Sequence, residues 1–321
     1  MLLTDAATRH AIFVGGKGGV GKTSIASALA LARAQQGARV LVVSTDPAHN
    51  LGHLWERAVG DDIVTLWQAN ADGQDNASTP GRVDGVEIDP DRTVDAHLAA
   101  VSATMIRMLP DRLHRAARDH LESARNAPGT HEAAVLERVA EALETGLDRY
   151  DLVVFDTAPS GHTLHLLSMP ESMTDWTEKL LANRDRSERF SVAYGALGGT
   201  KDTSDRDAEL RRMLLRRRAR FSLMRDTLAD PGRTGFVIVT VAEPMPIAES
   251  REVASQLESL GVTLMGVVAN RLSPAELMPV RREREEALLA NLDLGAPITR
   301  VPLIDELVGL PAVERLAGVL A

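Results

Sequence analysis

Cysteine is absent from the 321 residues of the chain, and aromatic residues make up only 3% of it. The absence of cysteine excludes disulfides, thiolate metal ligands, cysteine-bound iron–sulfur clusters and cysteine nucleophiles. The few aromatic side chains leave little surface on which nucleic-acid bases could stack. The formal net charge of −9 at pH 7 also argues against nucleic acid as a general partner, although it leaves room for a local basic patch.

Long apolar runs are missing as well. No stretch of about 18 apolar residues occurs, so the sequence predicts no membrane span. The first ten residues lack the cationic start and apolar run of a secretory signal, and we therefore expect a cytoplasmic protein. What the chain does have is a hydrophobic content of 44% and a charged content of 25%, which suit a folded protein with a sizeable core. The length fits one large α/β domain or two ordinary ones.

Short apolar runs that alternate with helical patterns predict an α/β fold. Residues 11–14 are predicted to form a buried strand, residues 22–35 a helix and residues 40–43 the next strand. A strand–helix–strand unit with short joints favours a parallel sheet. Further strands are predicted at 86–88, 152–155, 236–241, 264–269 and 298–301, and further helices at 248–260, 276–292 and 312–319.

Two helical blocks interrupt this alternation. Helical patterns dominate at about 93–149 and 163–229, whereas the polar stretch 70–84 predicts an exposed loop. We interpret residues 1–321 as a single domain with a doubly wound, mostly parallel sheet. The two blocks are predicted to form a helical subdomain inserted into that domain.

A glycine-rich turn between the first strand and the first helix matches the pattern G-x-x-x-x-G-K-[ST]. Its glycines let backbone N–H groups converge on phosphate oxygens, and the positive end of the helix adds to the attraction. The pattern predicts a P-loop NTPase that binds ATP, with Lys22 on the β- and γ-phosphates and the Thr23 hydroxyl on Mg²⁺. The predicted nucleotide-binding residues here are Gly16, Lys17, Gly18, Gly19, Val20, Gly21, Lys22, Thr23 and Ser24.

Two aspartates follow predicted strands, at the sheet edge where open α/β folds bind ligands. Asp46 is a candidate to orient the attacking water, with a turn aspartate before Pro47 as the alternative. Asp156 follows the apolar run 152–155 in the manner of a Walker B motif. It is a candidate to hold Mg²⁺, directly or through water, with a turn cap as the alternative.

Lys17 gives the loop a second lysine, in the form K-G-G-x-G-K-T. This loop resembles the deviant Walker A motif of the family that includes ParA, MinD, the nitrogenase iron protein and the ArsA-type ATPases. The resemblance implies that Lys17 crosses a dimer interface to the partner's nucleotide, where its charge would contribute to catalysis. The alternative is a solvated loop lysine.

Two further segments narrow the resemblance. Residues 44–51 read S-T-D-P-A-H-N-L and residues 156–164 read D-T-A-P-S-G-H-T-L. Both are similar to ArsA-type ATPases, which comprise arsenite-pump ATPases and targeting factors for tail-anchored membrane proteins. The resemblance implies that Asp46 activates water and that Asn270, Pro302 and Leu303 hold adenine. It also implies a single ATPase unit that works as a homodimer or with a related subunit.

The chain departs from that family in having no cysteine. Thiolate sensing of metalloids is therefore not expected. A dimer joined by zinc bound to C-x-x-C motifs is not expected either. Histidines 97, 114, 120 and 131 are scattered over a helical block, which favours surface positions over a metal site. Six methionines in the helical blocks could line a groove for an apolar client or simply fill the core. They are Met105, Met108, Met169, Met173, Met213 and Met224.

The function predicted from these features is Mg²⁺-dependent ATP hydrolysis that closes and opens a dimer. It would target or chaperone membrane-protein clients, or energise a transporter for anions or metalloids. The alternative is a ParA- or MinD-like positioning ATPase that acts on DNA or a membrane surface. A basic cluster at 211–220 could serve that alternative, but the excess of acidic over basic residues in the chain favours a solvated helix face.

Overall fold

The computed structural model of the chain describes residues 2–46, 50–69, 80–108, 114–115, 119, 125, 130–157, 204–306 and 308–321. The chain divides into two compact units. The first consists of Met1–Pro90, Ala142–Leu167 and Thr227–Ala321, and the second of Asp91–Glu141 and Ser168–Asp226. The predicted insertion boundaries, about 93–149 and 163–229, stay a prediction.

The first unit contains an eight-stranded sheet with the order β3-β4-β2-β5-β1-β6-β7-β8. Every neighbouring pair is parallel except β3 with β4, which is antiparallel. The sheet confirms the predicted α/β class and its mostly parallel character. The strands are β1 Ala11–Gly15, β2 Arg39–Ser44, β3 Val64–Gln68, β4 Arg82–Glu87, β5 Leu152–Asp156, β6 Thr234–Val241, β7 Leu264–Leu272 and β8 Ile298–Pro302.

Helices connect these strands. In the part of the chain that the structure describes they are α1 Leu2–Ala6, α2 Lys22–Gln35, α3 Asn50–Trp55, α4 Pro90–Met108, α5 Thr130–Arg149, α6 Ser204–Ala229, α7 Pro244–Ser259, α8 Pro279–Ala290 and α9 Leu310–Leu320. None of the described helices is both long enough and apolar enough to cross a bilayer.

The central strands are buried along their whole length. All five residues of β1 and all five of β5 are buried, which fits a parallel sheet covered on both faces. Phe13 of β1 stacks on Phe155 of β5, with ring centroids 4.6 Å apart. Side chains of α2 and α9 pack against one face of these strands and form a single hydrophobic core with it. This packing fixes the carboxyl ends of β1, β2 and β5 beside one another.

The structure corrects the predicted exposed loop 70–84 at its C-terminal end. Residues 70–79 lie outside the described part, but Arg82 to Asp84 form the first half of β4. Asp84 is buried because its carboxylate accepts hydrogen bonds from Arg82 Nε at 2.7 Å and Tyr150 Oη at 2.9 Å. These satisfied bonds allow a charged residue to lie in a buried strand.

The second unit is helical in its described part. Arg217 of α6 forms an ion pair with Glu137 of α5 at 3.2 Å, and its guanidinium lies 5.7 Å from the ring centre of Phe221. The methionines of α6 differ, since Met224 is fully buried whereas Met213 is 43% exposed. Met224 therefore belongs to the core. The side chains of Met105, Met108, Met169 and Met173 lie outside the described set.

Candidate functional site

The glycine-rich turn runs from the end of β1 to the start of α2. Gly16 has φ +145°, and a Cβ there would lie 2.1 Å from the Val239 carbonyl oxygen. Gly21 has φ +97°, and a Cβ there would lie 2.4 Å from Asn270 Nδ2. Only glycine fits these two positions. Helix α2 begins without a side-chain cap, so its first N–H groups are available for an anion such as phosphate.

Lys22 is the first residue of α2 and is buried. Its Nζ donates to the Lys17 carbonyl oxygen at 3.2 Å, which holds the ammonium group against the loop. Burial lowers the pKa of Lys22, while the negative charges of Asp156 and Asp46 oppose that change. A buried cation beside a loop of glycines is suited to bind phosphate oxygens.

Asp156 ends β5 next to this loop, because Val14 and Ser44 are its neighbours in the sheet register. Its Oδ2 accepts hydrogen bonds from Thr23 Oγ1 at 2.7 Å and Ser44 Oγ at 3.3 Å. Burial raises the pKa of Asp156 to about 7, although the Thr23 bond and the charge of Lys22 act in the other direction.

The other oxygen of the same carboxylate is also buried. Among the described residues, Oδ1 of Asp156 has no hydrogen-bond partner. A hydroxyl and a carboxylate beside a phosphate-binding loop are the ligand types that Mg²⁺ prefers. The buried, unpartnered oxygen therefore fits the sequence prediction that Thr23 and Asp156 hold Mg²⁺.

Asp46 follows β2 and is partly buried. Its backbone N–H donates to Ser44 Oγ at 3.3 Å, and its Oδ2 accepts from Asn50 Nδ2 at 3.2 Å. The carboxylate thus lies at the same sheet edge as Asp156. Residues 47–49 and 158–203 lie outside the described part. The segment 156–164, which carries part of the family resemblance, therefore lies outside it from residue 158 onward.

Lys17 has partners that the sequence did not predict. Its Nζ lies 2.9 Å from Glu249 Oε1 and 2.7 Å from Met245 Sδ, both on α7. The two charged side chains are about one-third exposed, at 34% and 36%. Glu249 carries no local motif that could have signalled this pairing, because the contact joins residues more than 200 positions apart.

The residues predicted to hold adenine come together on one side of the loop. Asn270, Pro302, Leu303 and Ser24 line one pocket. Asn270 is buried and donates to the Val20 carbonyl oxygen at 2.8 Å, whereas Leu303 is 53% exposed. The pocket has an apolar wall and one amide, which suits a nucleobase.

Arg271 is a site residue that sequence reasoning missed. It adopts φ +57°, which is unusual for a residue with a Cβ, and its Nη1 donates to the Gly19 carbonyl oxygen at 2.9 Å. Its backbone N–H donates to Asn270 Oδ1 at 2.9 Å. The residue lines the predicted adenine pocket and also supports the glycine loop. The signal in the sequence was its position directly after Asn270, in the segment 267–271 that resembles ArsA-type ATPases.

The site is that of a P-loop nucleotide-binding protein on a doubly wound sheet. Three features define it: the glycine loop before the uncapped start of α2, the buried Lys22 and the Thr23–Asp156 pair. Comparison with known sequences gives the family. Residues 9–321 match the family described as anion-transporting ATPase, and the chain belongs to it.

Individual relatives are named as arsenical pump-driving ATPases and as ATPases of the GET3 and ASNA1 type. The chain is 30% identical to an arsenical pump-driving ATPase of Acidiphilium multivorum over 97% of its own length and 48% of the relative's. It is 28% identical to ATPase GET3C of Arabidopsis thaliana over 97% of the chain and 82% of the relative. It is 30% identical to ATPase ASNA1 homolog 2 of Paramecium tetraurelia, over 81% and 75%. The chain spans about half the length of the pump-driving ATPases that it matches.

Proposed function

We propose that the protein hydrolyses ATP at the loop between β1 and α2 in a Mg²⁺-dependent reaction. The observation that carries this proposal is the buried Asp156 beside the uncapped start of α2. Its Oδ2 accepts a hydrogen bond from Thr23, while its Oδ1 has no partner in the part of the chain that the structure describes. The relatives named as ATPases support the same reaction. ATP binding would use the backbone of residues 16–21, the ammonium group of Lys22 and the pocket around Asn270.

The roles of the polar side chains follow from their positions. Thr23 and Asp156 would hold Mg²⁺, and a bound Mg²⁺ would neutralise charge on the β- and γ-phosphates. Lys22 would stabilise the negative charge that develops on the transferred phosphoryl group. Asp46 would orient the attacking water from the end of β2.

We further propose that two copies of the chain complete each site, with Lys17 reaching the nucleotide of the other copy. The support is the K-G-G-x-G-K-T loop and its resemblance to dimeric ATPases. Nucleotide binding would close the dimer and hydrolysis would open it. For this, Lys17 would exchange its contact with Glu249 for a phosphate oxygen.

The work coupled to this cycle is proposed to be the delivery of an apolar membrane-protein segment in the cytoplasm. The resemblance to targeting factors for tail-anchored membrane proteins supports this proposal, and the match over 82% of ATPase GET3C supports a single ATPase unit. Energising an anion transporter is the second candidate, favoured by the pump-driving relatives. The absence of cysteine argues against metalloid sensing by thiolates in either case. The positioning ATPase that acts on DNA or membranes stays a prediction.

Two experiments test these proposals. ATP turnover measured with and without Mg²⁺ should depend on the metal, and Asp46→Asn should abolish turnover while ATP binding persists. Normal turnover in that variant would contradict the role of Asp46. For the coupled work, the protein is mixed with a peptide that ends in about 20 apolar residues, the length of a membrane span.

The control peptide has the central apolar residues replaced by lysine. Delivery of membrane-protein segments is supported if the protein captures the apolar peptide in one nucleotide state and does not capture the control peptide. Failure with ATP, with ADP and without nucleotide contradicts it and leaves the transporter candidate. ATP-dependent, salt-sensitive binding of DNA instead would favour the positioning ATPase.

A further inference from the structure

Glu87 is a buried carboxylate that the proposed chemistry does not use. It ends β4 and is only 2% exposed. Its Oε1 accepts hydrogen bonds from two backbone N–H groups at the start of α3, those of Leu51 at 2.8 Å and Gly52 at 3.3 Å. Removing a charge from water costs free energy that only good partners offset, so packing alone would be served better by an apolar residue.

The contact with α3 is a close one. Gly52 is buried, and a Cβ there would lie 2.8 Å from the Arg57 carbonyl oxygen and 3.5 Å from Glu87 Oε2. The first of these distances requires glycine at this position, whereas the second is an ordinary van der Waals contact with the carboxylate. Charge-assisted bonds to backbone N–H groups are stronger than neutral ones. Glu87 therefore fixes the start of α3 to the end of the sheet.

Asp46 lies between two fixed points of the backbone, the end of β2 and the start of α3 that Glu87 holds. On its N-terminal side, Thr45 N–H donates to the Asp156 carbonyl oxygen at 2.9 Å, and the Ser44 carbonyl oxygen accepts from Ile88 N–H at 2.9 Å. On its C-terminal side, Asn50 donates to the Asp46 carboxylate and directly precedes Leu51, which Glu87 binds. The orientation of Asp46 thus depends on where α3 begins.

We propose that Glu87 is a positioning residue for catalysis, which holds Asp46 in place through the start of α3. The inference rests on the proposed function, because it requires Asp46 to orient the attacking water. Glu87 itself touches neither nucleotide nor water in this account. Its loss should therefore lower kcat and leave the affinity for ATP unchanged.

The test compares Glu87→Ala and Glu87→Gln with Asp84→Asn. Asp84 is the matched control, since it is an equally buried carboxylate on the same strand, at 2% exposure, but it binds Arg82 and Tyr150 instead of α3. Each variant is measured for kcat, for the Kd of ATP and for thermal stability. Asp46→Asn is assayed beside them.

A fluorescent reporter for α3 is built into the chain. Trp55 lies at the end of α3, is 5% exposed and donates from Nε1 to Ser27 Oγ at 3.0 Å. With Trp67 and Trp176 replaced by phenylalanine, acrylamide quenching reports how well α3 is held. This readout is independent of ATP turnover.

Misplacing a catalytic group by about 1 Å costs on the order of 100-fold, so we expect kcat to fall about 10- to 100-fold in Glu87→Ala. Glu87→Gln keeps an acceptor oxygen and should lose less. In both, the Kd of ATP should stay near the wild-type value and quenching of Trp55 should rise. Asp84→Asn should lose stability without losing kcat. If Glu87→Ala does not fold, the isosteric Glu87→Gln provides the test, by the same comparison of a lowered kcat with an unchanged Kd of ATP.

Wild-type kcat in a folded Glu87 variant overturns the inference, as does an equal loss of kcat in Asp84→Asn. A parallel loss of ATP affinity also overturns it, because the residue would then support the whole site. Normal turnover in Asp46→Asn is a different result, which refutes the proposed role of Asp46 whatever Glu87 does.

Discussion

Thr23 donates a hydrogen bond of 2.7 Å to Asp156, and this bond joins the start of α2 to the end of β5. The two residues are 133 positions apart in the chain. They meet because β1 and β5 are parallel neighbours whose carboxyl ends lie at the same edge of the sheet. The pair therefore brings a hydroxyl and a carboxylate to the place where a phosphate-bound Mg²⁺ is expected.

Thr23→Ala should remove the part of the ATP affinity that depends on Mg²⁺. It deletes one proposed metal ligand and leaves the buried Asp156 with one bond fewer, which should also cost about 1–3 kcal/mol of stability. Titration calorimetry with ATP in Mg²⁺ and in EDTA measures the first effect. Thr23→Ser keeps the hydroxyl and should retain the Mg²⁺ dependence. Identical affinities of wild type and Thr23→Ala in Mg²⁺ would contradict the metal assignment.

Gly21→Ala should disrupt the phosphate loop far more than an ordinary glycine substitution. Gly37 is the matched control, because it has a similar φ of +94° but open space around its Cβ position, whereas a Cβ on Gly21 would meet Asn270. Gly37→Ala should cost about 1–2 kcal/mol from the left-handed conformation alone. Gly21→Ala should cost more and should also weaken ATP binding, as shown by thermal unfolding and nucleotide titration. Equal effects of the two substitutions would argue against the close contact.

Glu249→Gln should favour the closed dimer slightly. Glu249 competes for Lys17 within the chain, but the pair is about one-third exposed and worth at most about 1 kcal/mol, or about fivefold in an equilibrium constant. Sedimentation in a non-hydrolysable ATP analogue should show dimers at a two- to fivefold lower concentration. Weaker dimerisation in Glu249→Gln would show that Glu249 supports the assembly instead of competing with it.

Ser273→Ala should lower stability in a pH-dependent way. Burial alone would raise the pKa of Glu285, but hydrogen bonds from the Ser273 hydroxyl and N–H and from Arg281 bring the pKa below its usual value. A carboxylate with a lowered pKa stabilises the fold above the unfolded-state pKa and loses that contribution as the pH falls through the folded-state pKa. The deficit of Ser273→Ala, about 1–3 kcal/mol at pH 7, should therefore shrink below pH 4. A deficit that is constant from pH 7 to pH 3 would contradict this account.

The sequence predicted the parts of the fold that depend on local patterns. Apolar runs marked β1, β2 and β5, and the glycine loop marked the start of α2, because strand burial and tight turns impose their own residue types. Strand β3 and the first half of β4 were missed. Arg82 and Asp84 are polar, and only their bonds to each other and to Tyr150 make a buried strand possible.

The same distinction between local pattern and tertiary contact applies to the residues of the candidate site. Lys22, Thr23, Asp46 and Asp156 stood in recognisable motifs at the start of α2 and at strand ends. Glu249 stood in no motif, and Arg271 and Glu87 were not predicted as site residues, because each of the three acts across the fold on a backbone group or a side chain distant in sequence. A motif shows which residues meet a ligand, whereas the residues that hold them in place are set by tertiary structure.

Each proposed nucleotide site takes Asp46 from one copy of the chain and Lys17 from another, and mixing two inactive variants tests this shared site. Lys17→Ala and Asp46→Asn should each be inactive alone. In a 1:1 mixture, half of the dimers should contain one intact composite site, which should restore about a quarter of wild-type turnover per chain.

The control replaces Asp46→Asn by the double variant K17A/D46N, which can donate no lysine and should restore nothing. Recovery of about a quarter of the turnover with the first pair, and none with the control pair, is the result this account predicts. A mixture that forms dimers by sedimentation and yet stays inactive would contradict it.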